Sequence, residues 1–133
     1  MARLVEITAC VTLCLLVSLL PAAPPSQAAS SRPTITCPYP DDLDEQLSVV
    51  APARIGDLPP IDFDYPAKVT RFSFRDGHLL LIAMDQEERS RVRVVISAQL
   101  NKASGSYDGQ IVLDLGGHQI MLRQGPVGCT IAP

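Results

Sequence analysis

The dipeptide Asp76-Gly77 constrains the fold of this chain more than any other feature of the sequence. Before it, Phe72 and Phe74 alternate with polar residues at period two, which is typical of a β-strand with one buried face. Asp-Gly is a strong signal for a two-residue hairpin turn, because both of its positions require a positive φ. The predicted register places Arg75 opposite His78, Phe74 opposite Leu79 and Phe72 opposite Leu81.

Three later segments repeat the strand pattern. They are residues 91–100, with Val94 and Ile96 on the buried face, residues 110–115, and a short last strand that ends near Cys129. Gly116-Gly117 predicts a second tight hairpin. Its register would place Leu113 opposite Ile120, Ile111 opposite Leu122 and Gln110 opposite Arg123.

No segment has the apolar spacing of an amphipathic helix. The sequence therefore predicts an all-β fold, either a small antiparallel β-barrel or a strongly curled sheet of roughly five to eight strands, which hides its edge strands. Leu80 and Ile82 fall on the face opposite to Leu79 and Leu81. This return strand, apolar on both faces, is expected to be central in the sheet or covered by the segment that precedes the hairpin.

Residues 1–28 have the composition of a cleaved secretory signal peptide. The apolar run at residues 10–20 is shorter than the roughly 20 residues that a membrane-spanning helix needs, and prolines and small residues follow it. Cleavage is predicted after Ala28, which makes the protein periplasmic or secreted, with no stable membrane span. A retained membrane anchor is one alternative. The other is a lipoprotein, since Ile7-Thr8-Ala9-Cys10 is similar to a lipobox, although it precedes the apolar run.

Cleavage leaves Cys37 and Cys129 in the mature chain, an even pair in an oxidising compartment. They are predicted to form one disulfide that ties the start of the fold to its last strand. The alternative is two free, buried thiols.

Residues 29–66 form a predicted acidic arm that is rich in proline, ahead of a β domain at residues 67–133. Because proline removes a backbone donor, at most one short strand is expected in the arm, within residues 47–55. Three interpretations are open. The arm could lie across the arginines of the β domain, meet a basic partner, or serve as a solvated connection.

The charge balance excludes one class of partner. A formal net charge of -3 and a pI near 5.2 argue against nucleic-acid binding, which needs a basic face to neutralise phosphates. Arg89, Arg91 and Arg93 are expected to point outward. They would form a solvated face, a docking surface for the acidic arm, or a binding site for an anionic polymer.

The sequence lacks the recognised spacings of catalytic and metal-binding residues, which favours a non-enzymatic protein without a cofactor or a metal. His78 and His118 each lie next to a predicted turn, on different hairpins, and no third ligand stands at metal spacing. A nucleophile elbow is absent from the sequence. A small hydrolase remains an alternative, because the members of a triad are brought together in space rather than in sequence.

The segment at residues 103–109 supports a family resemblance. It reads Ala-Ser-Gly-Ser-Tyr-Asp-Gly, and a strand, a glycine hairpin, a second strand and a cysteine near the end follow it. This order resembles the C-terminal half of the inhibitors of C-type lysozyme, the MliC/PliC family, across residues 71–129. The resemblance implies an exported small antiparallel β-barrel, with a disulfide between an early cysteine and a late one.

In that family, a serine of the first motif and a lysine of the second motif enter the lysozyme cleft and engage its catalytic carboxylates. The resemblance therefore implies a binding loop formed by Ser104, Ser106 and Tyr107, with a basic protein such as a lysozyme as the partner. Lys102 stands where the first motif usually begins with serine, and residues 113–117 read Leu-Asp-Leu-Gly-Gly in place of the second motif. The expected function is an exported binding module. The alternative is a structural or envelope-associated β domain with no inhibitory role.

Overall fold

The computed structural model describes residues 32–133, which form a seven-stranded antiparallel sheet that curls into a half-barrel. In chain order the strands are β1 (Thr34–Tyr39), β2 (Asp42–Val50), β3 (Ala67–Arg75), β4 (His78–Asp85), β5 (Val92–Leu100), β6 (Tyr107–Asp114) and β7 (Leu122–Ala132). Across the sheet the order is β2-β1-β7-β6-β5-β4-β3, so β2 and β3 are its two edges. The predicted all-β class is confirmed. The predicted signal peptide lies outside the described residues.

The register predicted from Asp76-Gly77 is confirmed. Arg75 pairs with His78, Phe74 with Leu79 and Phe72 with Leu81. Asp76 and Gly77 both have a positive φ, 53° and 74°, as a type I′ turn requires. Since β4 lies between β3 and β5, the return strand is interior to the sheet, and Leu80 and Ile82 on its second face are half-buried.

The register predicted from Gly116-Gly117 is wrong. Asp114 pairs with Leu122, Leu113 with Arg123 and Ile111 with Gly125, so residues 115–121 form a wide loop. The loop is closed by the amide of Leu115, which donates to the oxygen of Met121 at 3.0 Å. A Cβ at position 116 would lie 1.8 Å from the oxygen of Gln119. This glycine is therefore needed for a close approach inside a wide loop, and not for a two-residue turn.

Residues 34–50 do not form an extended arm, and the prediction of at most one short strand in the acidic segment is wrong. They form the β1–β2 hairpin, which joins the same sheet through β7. The prolines lie where the pairing allows them. Pro38 stands at a shift in the β1–β2 register, and the β1–β7 ladder, which spans Thr34 to Thr36, ends before it. Residues 51–66 are the longest stretch without strand structure in the described part of the acidic segment, as their proline content predicts.

Residues 51–66, called here the seam segment, cross between the two edge strands. Ile61, Phe63 and Tyr65 pack against the hydrophobic core, while Asp62 and Asp64 between them are exposed. The segment lines cavities against both β2 and β3. The seam segment therefore crosses the gap in the half-barrel by packing apolar side chains on the core, without forming a hydrogen-bonded ladder with β3.

Cys37 and Cys129 form the predicted disulfide, across a sequence separation of 92 residues. Both cysteines are buried in a core formed by the inward faces of the strands. The largest fully buried side chains of this core are Ile35, Leu81, Ile96, Ile111 and Leu113.

We expect Gly109→Ala to destabilise the sheet and Gly117→Ala to leave its stability nearly unchanged. A Cβ on Gly109 would lie 2.0 Å from the backbone oxygen of Ser97 and 2.5 Å from the Cα of Ala98, so β5 and β6 would have to separate. A Cβ on Gly117 would meet no atom within 4 Å. Overpacking of this kind lowers the free energy of unfolding by about 1–3 kcal/mol, which a urea titration measures. Equal unfolding free energies in the two variants would contradict this packing.

Candidate binding site

The antiparallel order places the connections at two opposite ends of the half-barrel. The turn at residues 76–77 and the loop at residues 101–106 share one end, called here the serine end, where the amide of Leu100 donates to Gly77 at 2.7 Å. The segments at residues 86–91 and 115–121 share the other, called here the arginine end. The two ends carry different polar clusters.

The serine end holds the loop that the sequence singled out. Ser104 is exposed, and its Oγ lies 2.7 Å from Oγ of Ser106, which in turn donates to Asp108 at 2.7 Å. The side-chain amide of Asn101 donates to the other carboxylate oxygen of Asp108 at 2.8 Å. Gly105 closes the loop with φ +75° and donates from its amide to the oxygen of Asn101. The loop is therefore ordered by its own polar side chains.

These hydrogen bonds fix which groups the loop can offer to a partner. The hydrogen bonds from Ser106 and from Asn101 lower the pKa of Asp108, so this carboxylate is ionised at neutral pH and can only accept. Because Ser106 donates its one hydroxyl proton to Asp108, it must accept the proton of Ser104. The oxygen of Ser104 also accepts from the amide of Ser106 at 3.3 Å, which leaves it one lone pair to offer to a partner, beside an exposed anion.

Tyr107 has a different position from its two neighbours. It is the first residue of β6, is 8% exposed, and pairs with both Leu100 and Cys129. Its ring lies 5.2 Å from the ring of Phe74, measured between centroids. Of the three predicted binding residues, Ser104 is exposed, Ser106 is half-buried, and the ring of Tyr107 lies in the core beside Phe74 and not at the surface of the loop.

The segment that stands in place of the family's second motif lies far from the serines. Residues 113–117 begin in the last two positions of β6 and enter the loop at the arginine end. The eight residues of β6 span about 27 Å at the rise of an antiparallel strand. Ser104 and the Gly116-Gly117 loop are thus at opposite ends of the half-barrel and cannot enter one cleft together.

The expectation that Arg89, Arg91 and Arg93 all point outward is wrong for two of the three. Arg93 is 4% exposed, and its guanidinium lies 2.6 Å from the carboxylate of Asp85 while donating to the oxygens of Asp114 and Gly116. It also lies over the ring of Tyr65, at 5.6 Å from the centroid. Only Arg89 is exposed.

Arg91 holds the wide loop of the arginine end. Its Nε donates to Asp114 at 2.6 Å, and its other nitrogens donate to the backbone oxygens of Gly116, Gly117 and Gln119. The second carboxylate oxygen of Asp114 accepts from the amides of Gly116 and Met121. Asp114 therefore connects the arginine to both sides of the loop, which explains why residues 115–121 do not form a tight turn.

Sequence reasoning misses the cluster of Arg91, Arg93, Asp85 and Asp114 because the alternation in residues 91–100 predicts that the arginines lie on the solvent-facing side of the strand. The sequence nevertheless contains a signal for this charged cluster. Asp85 and Asp114 are single carboxylates at the ends of apolar strands, and Arg91 and Arg93 begin the strand between those two strands. In an antiparallel meander, the end of one strand is adjacent to the start of the next, which brings such charges together.

The loop at the arginine end also carries exposed apolar side chains. Ile120 is 70% exposed, and Met121 and Leu122 are each 59% exposed. Val92 at the start of β5 is 43% exposed. The cluster of Arg91, Arg93, Asp85 and Asp114, called here the arginine clamp, thus fixes the backbone of a loop that is apolar where it joins β7.

The two histidines lie at opposite ends of the half-barrel. His78 follows the turn of the serine end, and His118 is in the loop of the arginine end, both exposed. Within residues 32–133, no group of three or more His, Cys, Asp or Glu side chains is arranged to hold a metal ion. The same residues contain no helix of the length and apolarity that would be needed to cross a membrane.

Comparison of the chain with protein-family models, with curated proteins and with solved structures finds no match. The resemblance to the lysozyme inhibitors therefore rests on residues 101–108, called here the serine loop, and on the order of the strands around them.

We expect Asp114→Asn to weaken the fold at neutral pH and to make its acid dependence shallower. Hydrogen bonds, chiefly from Arg91, hold the pKa of Asp114 well below its usual range, and the amide of Glu88 together with Arg93 lowers the pKa of Asp85. A lowered pKa stabilises the folded state above the unfolded value of about 3.9, and this contribution is lost as the pH falls further. The asparagine can keep the two backbone contacts of Asp114 but turns its amide towards Arg91.

Urea midpoints measured from pH 7 down to about pH 2 test this. The wild-type midpoint should fall more steeply below about pH 4 than that of the variant. Asp62→Asn, an exposed carboxylate in the seam segment, is the control and should follow the wild-type curve. Parallel curves for the wild type and Asp114→Asn would rule out the clamp as a source of stability.

Proposed function

We propose that this chain is an exported, non-enzymatic binding module that docks a basic protein through the serine loop. The observation that supports the proposal best is that Ser104 and Asp108 of the loop offer hydrogen-bond acceptors, and not donors, to a partner. Ser104 offers an acceptor oxygen and Asp108 an ionised carboxylate, on a backbone already ordered by Asn101 and Gly105. A partner with clustered hydrogen-bond donors, lysine or arginine, is complementary to such a surface.

A C-type lysozyme is the first partner to test, because the serine loop is the part of the chain that resembles the lysozyme inhibitors. The mode of contact would differ from theirs. Ser104 donates its proton within the loop, and the segment replacing the lysine motif lies at the other end of β6, so the loop is suited to donors and not to the catalytic carboxylates. We therefore propose binding to a basic surface, without insertion of two motifs into the cleft.

Export is part of the proposal. A disulfide between Cys37 and Cys129 is compatible with an oxidising compartment, where such bonds persist. It fits the signal peptide predicted for residues 1–28, with the mature chain beginning near residue 29.

A structural or envelope-associated domain is the second candidate, favoured by exposed apolar side chains at the arginine end. Ile120 and Met121, in the loop that Arg91 holds in place, and Leu122, at the start of β7, are exposed and consecutive in the sequence. Exposed apolar side chains that are clustered, and not scattered singly, mark surfaces that contact another apolar phase or protein. This role would not need the serines.

The test of the binding module is the affinity of the mature chain for a C-type lysozyme, measured by biolayer interferometry. Asp108→Asn should weaken binding about tenfold, because a hydrogen bond to a charged group contributes about 1.5–3 kcal/mol, and Ser104→Ala should weaken it roughly threefold or more. Raising the salt concentration from about 20 to 200 mM should weaken wild-type binding as well, since exposed charges are screened.

Two controls separate a docking loop from general charge. Asp44→Asn removes the same charge from β2, and Ser97→Ala removes an exposed hydroxyl from β5. Neither should change the affinity by more than about twofold. If Asp44→Asn and Asp108→Asn weaken the affinity equally, the interaction depends on net charge and not on the serine loop. Absence of lysozyme binding, combined with retention of the chain in envelope fractions that Ser104→Ala does not alter, would favour the second candidate.

A further inference from the structure

The free edge of β3 carries a groove along its full length. One cavity of about 1050 Å³ lies beside residues 67–70, and a second of about 510 Å³ lies beside residues 71–75. The seam segment forms the opposite wall, with residues 58–62 facing the first cavity and residues 51–57 facing the second. The segment therefore runs antiparallel to β3, at a distance from it.

The edge of β3 keeps unpaired backbone groups. Among residues 32–133, no main-chain hydrogen bond joins residues 51–62 to β3. The type I′ turn makes Arg75 and His78 the hydrogen-bonded pair beside it, and the bonds then alternate along the ladder. The backbone N–H and C=O groups of Phe74 and Phe72 therefore point away from β4 and towards the groove.

The two edge strands carry opposite charges. β3 has the three cations Lys68, Arg71 and Arg75 and no carboxylate, whereas β2 has the three carboxylates Asp42, Asp44 and Glu45 and no cation. Within the part of the chain that the structure describes, Lys68, Arg71 and Arg89 form no ion pair, unlike the arginines of the clamp. All three are exposed and line the groove.

We propose that the β3 edge binds an extended, acidic segment of a partner protein as an added β-strand. Main-chain hydrogen bonds to Phe72 and Phe74 would supply affinity, and Arg71 and Lys68 would select carboxylate side chains. Thr70 is an extra residue in the β3–β4 register, and such a bulge interrupts strand addition. The regular contact is therefore confined to residues 71–75, with Lys68 and Arg89 contacting the segment beyond the bulge through charge.

A partner protein fits this edge better than a second copy of the chain. Pairing β3 with β3 would place like charges opposite each other, which destabilises a strand pair. Pairing β3 with the acidic β2 of a second copy would be a head-to-tail contact, which forms rings or open filaments and not a closed pair, and the self-association test below separates this case. The observations thus favour an acidic strand that does not come from this chain.

The first test uses three fluorescein-labelled peptides of about eight residues, long enough to cover β3, in a fluorescence anisotropy titration. One alternates valine and glutamate, the second replaces the valines with proline, and the third alternates valine and lysine. The valine–glutamate peptide should bind at least about tenfold more tightly than the proline peptide, which has the same charge but few N–H donors. The lysine peptide should not bind.

Variants place the contact on β3. Arg71→Glu should weaken binding of the valine–glutamate peptide about tenfold or more, while Lys102→Glu makes the same charge change on the exposed serine loop and should have little effect. Ser104→Ala should not change peptide binding, so this site and the serine loop can succeed or fail separately. Hydrogen exchange should show new protection at the amides of Phe72 and Phe74 when the peptide is bound.

Each of the other outcomes overturns the proposal. Equal affinity for the valine–glutamate and proline peptides would show an electrostatic contact without strand addition. Absence of binding would show that the charges and the bulge only protect the edge from aggregation. Self-association that protects β3 and is abolished by Asp44→Lys would identify a second copy, through β2, as the occupant.

Discussion

The Cys37–Cys129 disulfide holds the sheet together at its shortest junction. β1 and β7 pair at three positions, Thr34 with Ala132, Ile35 with Ile131 and Thr36 with Thr130, whereas the other ladders run over six or more. The disulfide stands at the next position along this ladder. On the chain-entropy model, closing a loop of this length stabilises the fold by about 4–5 kcal/mol. The covalent bond therefore compensates for the few hydrogen bonds that attach the β1–β2 hairpin.

The position of the hairpin decides the rest of the architecture. Once β1 and β2 are fixed beside β7, the chain must cross from β2 to β3, the two edges of the half-barrel. Ile61, Phe63 and Tyr65 of the crossing segment fill the gap with apolar side chains. Because prolines and exposed aspartates surround them, the segment packs without forming a ladder, which leaves the edge of β3 open along a groove.

Local signals predicted the parts of the fold that depend on neighbouring residues. Asp76-Gly77 specified a register because two consecutive positive φ angles leave few alternatives. Gly116-Gly117 misled, because the conformation of that loop is set by Arg91 and Arg93, more than twenty residues earlier in the chain. For a similar reason, β1 was not predicted. Pro38 is tolerated in this strand because the β1–β7 ladder ends before it, which depends on residues far along the chain. In the candidate site, the sequence identified the serine loop but gave no indication of the direction of its hydrogen bonds.

We expect the disulfide, and not the short β1–β7 ladder, to keep the first hairpin on the sheet. Hydrogen exchange followed by mass spectrometry, on the oxidised chain and on the chain after reduction and alkylation, tests it most directly. The claim predicts that reduction increases exchange in residues 34–50 and 61–65, while β4, β5 and β6 stay protected. Unchanged protection in residues 34–50, or an equal loss across all seven strands, would contradict it.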